Sequence, residues 1–123
     1  EIALTQEDIR QFQMAKSAIA VGQKMLLREA GLKASAIKHV YLAGGMGSFL
    51  NVRAAVAVGL LQKDFLPVAK AVGNTSLQGA ITYLRKQTKT ETKKLEEIAK
   101  QIRVLSLAEM PGFEEDYIMH MAL

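Results

Sequence analysis

The sequence predicts an α/β fold: helices alternate with short strands that form a parallel or mixed sheet. Three observations carry this. Val40 to Ala43 is an apolar run with β-branched and aromatic members, and it leads directly into Gly44, Gly45 and Gly47. Val68 to Val72 repeats the arrangement and leads to Gly73. Segments with helical periodicity stand before, between and after these runs.

A long helix comes first. Thr5 is its expected N-cap, with Asp8 three positions on in a variant of the capping box. Glu7 and Asp8 place negative charge where the helix dipole favours it. The helix should run to about Ala30 and stop at Gly31. Ile9, Phe12, Ala15, Ile19, Gly22, Leu26 and Ala30 form its expected buried stripe, broadened by Ala18, Met25 and Leu27. Gly22 costs about 1 kcal/mol relative to alanine in a helix interior, which points to close packing against another backbone or to simple tolerance. A helical turn is expected at Ala34 to Ile37, and His39 stands at the entrance of the first strand as a surface or capping residue.

The run Val40 to Ala43 reads as a strand buried on both faces. Gly44, Gly45 and Gly47 read as a loop that permits positive φ and close approach of another group. Asn51 should cap a short helix, Val52 to Val58, ended by Gly59. Leu60 and Leu61 should pack inward, and Pro67 punctuates the loop after them. The second strand, Val68 to Val72, is followed by Asn74 as N-cap of a helix to about Lys86, with Leu77, Ala80, Ile81 and Leu84 inward. After a polar break at Thr88 to Thr92, Thr90 should cap a helix over Glu91 to Gln101, with Leu95, Ile98 and Ala99 on its apolar side. Ile102, Val104, Leu105 and Leu107 mark a last strand. Pro111 takes the N1 position of a terminal helix over Phe113 to Met121, whose methionines are expected to pack.

Composition bounds the function. At 123 residues the chain is one domain or less, and at 50% hydrophobic it should form a globule. It has no cysteine, which excludes disulfides, thiolate metal sites and cysteine nucleophiles within it. No apolar run is long enough to span a bilayer and no signal peptide is evident, so a cytoplasmic protein without a membrane partner is expected. The net charge of +4 lies partly in Lys86 to Lys94. That run reads first as a solvated helix face and second as a docking patch for an acidic partner. Nucleic acid ranks last, because few aromatics interleave the lysines. The chain begins at Glu1 without methionine and moves almost at once into a long helix, so a fragment of a larger protein is expected, with part of its site elsewhere.

Several segments resemble one family in order. They are Thr5-Gln6-Glu7-Asp8-Ile9-Arg10, Ala15-Lys16-Ser17-Ala18-Ile19, Gly22, Val40 to Gly47, Asn51, Ala54, Gly59-Leu60-Leu61, and Val72-Gly73-Asn74-Thr75-Ser76-Leu77-Gln78-Gly79-Ala80. The family is that of the ATP-dependent reductive activators of corrinoid proteins. Their C-terminal domain belongs with acetate and sugar kinases, chaperone ATPases and actin. The resemblance implies an actin-like (ribonuclease H-like) ATPase domain with a short mixed sheet flanked by helices, of which residues 1–123 are the last part. It implies that the full-length protein uses ATP and magnesium to drive reduction of a cobalt(II) corrinoid to cobalt(I) in a methyl-transfer protein. The partner would be a corrinoid protein or corrinoid-dependent methyltransferase. An iron–sulfur cluster would sit in a missing N-terminal domain. The phosphate-binding hairpins and acidic magnesium ligands of the superfamily would also lie outside these residues, so hydrolysis by them alone is not expected, and no catalytic or metal-ligating residue is assigned.

By the same resemblance, Gly44, Gly45 and Gly47 would let adenine and ribose lie against the backbone. Ser48 would either donate to the ligand or tie the turn to itself. Lys16 is a candidate ribose or adenine contact, with Gln13 near it, set against an ordinary exposed lysine. Asn74 is a capping residue and a candidate ligand contact, and Asp8 a cap rather than a magnesium ligand. Met46 departs from the bulky aromatic of the family pattern. The alternatives are a protein-interaction domain of this fold that has lost nucleotide binding, and a small-molecule kinase of the same superfamily. A truncated sheet would also expose an edge through which two copies could pair as a homodimer.

Overall fold

The computed structural model describes residues 3–85 and 89–122. Helix α1 spans Gln6–Glu29. Its start is set by Thr5: the hydroxyl accepts from the Asp8 amide, and the Asp8 carboxylate accepts from the Thr5 amide, a complete capping box. Its end is a Schellman motif around Gly31, whose φ is 65°. The Leu32 amide donates to the Leu27 carbonyl and the Gly31 amide to that of Arg28. The Thr5 hydroxyl also donates to the Asp8 carboxylate, and this bond, with that from the Thr5 amide, holds the Asp8 carboxyl below its ordinary range.

Both ends of α1 match the sequence expectation, but its buried face does not. Lys16, Ser17, Ala20, Val21, Gly22 and Met25 are inside. Phe12, Ile19 and Leu26 of the expected stripe are 42%, 49% and 52% exposed. The reason is the partner: the inward face meets backbone carbonyls as well as apolar groups. Gly22 of the stripe and Met25 of its broadening belong to both sets, and a Cβ on Gly22 would lie 3.4 Å from Leu107 Cδ1.

Strand β1 (Val40–Ala43) and strand β2 (Ala69–Gly73) are parallel neighbours. Parallel strands need a crossover connection, here supplied by helices α2 (Gly44–Phe49) and α3 (Val52–Ala57). Asn51 caps α3 through the Ala54 amide, as expected. Gly59, at φ 76°, ends it. Leu61 and Phe65 turn inward to join Ala55, Val21 and Met25 in a small core. Gln23 ties α1 to this turn by donating to the Leu60 carbonyl. β1 is not covered on both sides: Tyr41 is 63% exposed and stacks on exposed His39.

Helix α4 covers Thr75–Arg85 and α5 covers Lys89–Gln101. α5 starts before the expected Thr90 cap. The charged run between them falls partly outside the described residues, at 86–88, as does the expected break at Thr88. Leu77 and Leu84 on α4, and Leu95 and Ile98 on α5, are exposed rather than inward. The expected last strand is not formed. Ile102 to Ser106 has no ladder partner among the described residues, and a single helical turn follows at Leu107–Glu109. Helix α6 (Phe113–Met119) begins after Gly112, at φ 80°, so Pro111 precedes the cap instead of occupying N1. Met119 is exposed.

α6 lies antiparallel on α1, and four α1 side chains hold it. Lys16 donates to the Ala122 carbonyl, Ser17 to that of Tyr117 and Arg28 to that of Pro111, while Lys24 pairs with Asp116. The Lys24 hydrogen bond lowers the Asp116 carboxyl below its ordinary 3.8 against the opposing effect of burial, and the charges of Lys24, His120 and Arg28 add to the lowering. A depressed folded-state value means stability that is present above the unfolded value and lost as pH falls through the folded one. Hydrogen-exchange protection of α6 should therefore drop below about pH 4, and Lys24→Met should abolish that drop. Unchanged protection from about pH 6 to pH 3 would contradict the role given to this pair.

Candidate nucleotide-facing site at the strand ends

The glycine segment is not a loop. Gly44 to Phe49 is a helix that starts the moment β1 ends, with Ala43 as an extended N-cap. Glycine is a poor helix former, so this helix owes its existence to packing on β1 and β2 rather than to propensity. Its glycines differ in function. Gly44 has φ 88°, a conformation that side chains resist, and it makes the turn out of the strand. A Cβ on Gly47 would stand 3.1 Å from the Leu42 carbonyl carbon and 3.4 Å from its oxygen, so Gly47 is what lets α2 lie against β1. Gly44 and Gly45 would meet nothing within 4 Å. Their outward side is open.

Ser48 Oγ donates to the Gly44 carbonyl at 2.7 Å, so its one hydroxyl hydrogen is used within the helix. That bond couples the last turn of α2 to its first residue. Met46 is 85% exposed.

Asn74 follows β2 immediately. Its Oδ1 accepts from the Leu77 amide at 3.0 Å, which caps α4. Strand register brings it close to the glycine helix: Ala43 pairs with Gly73 after a register shift between Leu42 and Ala43. Gly44 and Asn74 thus each follow one of these paired residues, at the carboxyl ends of neighbouring parallel strands. Open α/β sheets bind ligands in this position.

Lys16 and Gln13 are placed differently. Lys16 is 3% exposed, far from an ordinary surface lysine. Its ammonium is bonded to the Ala122 carbonyl and lies next to Gly59. Gln13 is half-buried one turn earlier on α1. The sequence left Lys16 open between ligand contact and solvent. Its structural partner, a backbone carbonyl 106 residues away, carries no side-chain signal that a sequence could display.

Among the described residues no group of three His, Asp or Glu side chains is placed to hold a metal ion. No helix among them is long and apolar enough to cross a membrane.

Known proteins match the chain along almost its whole length. The family described as the C-terminal domain of RACo, the ASKHA domain, matches residues 1–123. The corrinoid activation enzyme RamQ of Eubacterium limosum is 35% identical over 121 residues, covering 98% of this chain and 20% of that protein. A solved structure of a reductive activator for corrinoid, iron–sulfur protein superposes with a TM-score of 0.79 at 33% identity, covering 94% of this chain and 18% of that one. The chain thus spans about a fifth of the length of the relatives it matches.

Proposed function

We propose, from the premise that this chain belongs to the family of C-terminal ASKHA domains of RACo, that it is the adenosine-holding part of an ATP-dependent reductive activator acting on a corrinoid protein. The observation that carries this reading is the open backbone at Gly44 and Gly45 beside Asn74, past two adjacent parallel strand ends. A base and ribose fit there because no side chain stands between them and the main chain. The Gly47 contact with Leu42 and the Ser48 bond to Gly44 keep that backbone rigid. Asn74, fixed by its capping bond, borders the same opening. Lys16 is left out of the ligand contacts because its ammonium is engaged by the Ala122 carbonyl.

In the intact protein ATP supplies the free energy of γ-phosphate hydrolysis, coupled to return of cobalt(II) corrinoid to cobalt(I). The residues present do not fit magnesium, for want of an acidic cluster among those described. A cysteine-free chain offers no thiolate to an iron–sulfur cluster. Both are assigned to the remainder of the protein.

The test is calorimetric titration of the full-length protein with a non-hydrolysable ATP analogue and magnesium. Saturable heat with a matching thermal shift is expected. Absence of both would leave an interaction domain of actin-like fold without nucleotide binding.

A further inference from the structure

A second concave site lies away from the strand ends, between α1, the turn after α3 and the end of α6. It encloses about 400 Å³, towards the small end of the range of about 300–1,000 Å³ usual for small-molecule sites. Ala20, Val56 and Leu61 supply apolar wall, and Lys24, Lys63 and His120 supply cationic or titratable groups. No carboxylate lines it. Asp116, beside Lys24, is engaged by it. The His120 ring is held by a 2.8 Å contact of Nδ1 with the Asp116 carbonyl.

A further charge stands behind the wall. Gly59 lines the cavity, and a Cβ on it would be 3.7 Å from Lys16 Nζ. Lys16 is 3% exposed, so its charge acts through little intervening water. Three lysines thus converge on one small space that has apolar walls and no carboxylate among its described lining residues.

We propose that this cavity binds a small amphipathic anion, a carboxylate or phosphate monoester carrying a short apolar group. The apolar part lies against Ala20, Val56 and Leu61, and the anionic head faces Lys63 and His120. The site shares no residue with the Gly44 to Ser48 helix or with Asn74, so it stands independently of the nucleotide reading. Its cationic and titratable groups come from three elements. Occupancy therefore fastens α6 to α1 and to the turn after α3, and a ligand that binds only the docked arrangement stabilises it.

The experiment titrates the full-length protein with hexanoate and with phenyl phosphate, using hexylamine as the cationic control. Thermal shift and hydrogen exchange of Phe113–Met119 are followed. At least one anion is expected to give a saturable shift and slower exchange in that helix, with no effect of hexylamine. Which anion acts separates a carboxylate site from a phosphate site. Lys63→Ala, an exposed position, and His120→Asn should each weaken binding about tenfold and leave the analogue titration at the strand ends unchanged. The proposal fails if neither anion binds below about 10 mM, or if both variants bind them as the parent does.

Discussion

Replacing Gly47 by valine is expected to destabilise the protein by about 2–3 kcal/mol, as overpacking against rigid neighbours does. The first added atom would already stand 3.1 Å from the Leu42 carbonyl carbon. That atom is backbone in a paired strand, so it cannot swing away as a side-chain end would. Valine's two further methyl groups enlarge the clash, and its better helix propensity recovers less than about 1 kcal/mol. Thermal melting should show a fall of several degrees per kcal/mol. A melting temperature within about 2 °C of the parent would remove Gly47 from its place as the contact between α2 and β1.

Valine at position 45 should do the opposite. A Cβ there meets nothing within 4 Å and the residue's φ is negative, so stability should stay within about 0.5 kcal/mol of the parent. The branched side chain would project into the opening beside Asn74, where the base and ribose must approach the main chain. ATP-analogue affinity of the full-length protein is expected to fall at least tenfold, which is about 1.4 kcal/mol. Two neighbouring glycines thus separate folding from binding. Retained affinity in folded Gly45→Val would place the nucleotide elsewhere, whatever the outcome at Gly47.

The contrast also marks what was legible in the sequence. The limits of α1 could be read because Thr5, Asp8 and Gly31 act within four residues of their partners. The same holds for Asn51 and Asn74 as caps. The inward face of α1 could not be read. Hydrophobic periodicity selects Phe12, Ile19 and Leu26, whereas the inward side includes Lys16 and Ser17, bonded to carbonyls of the C-terminal segment. The glycine helix was hidden for another reason. Its residues favour a loop, and only contact with both strands makes it helical. Ile102 to Leu107 has strand composition, yet a strand exists only where a neighbour pairs with it. The candidate site was half legible: the glycines stand out in the sequence, while the placing of Gly44 and Asn74 at neighbouring strand ends depends on the Ala43–Gly73 register.

The four anchors of α6 carry a consequence for the order of events in folding. They join residues separated by 106, 100, 92 and 83 positions. None can form until a very long loop has closed, and each long-range contact must first overcome that loss of chain entropy. The capping box, the Schellman turn and the β1–β2 unit involve much shorter loops and assemble earlier. Lys16 is therefore expected to enter a nascent fold fully hydrated and to give up its water when α6 docks. The reverse path should start at the same place, with α6, held to α1 by polar bonds, as the first cooperative unit to open.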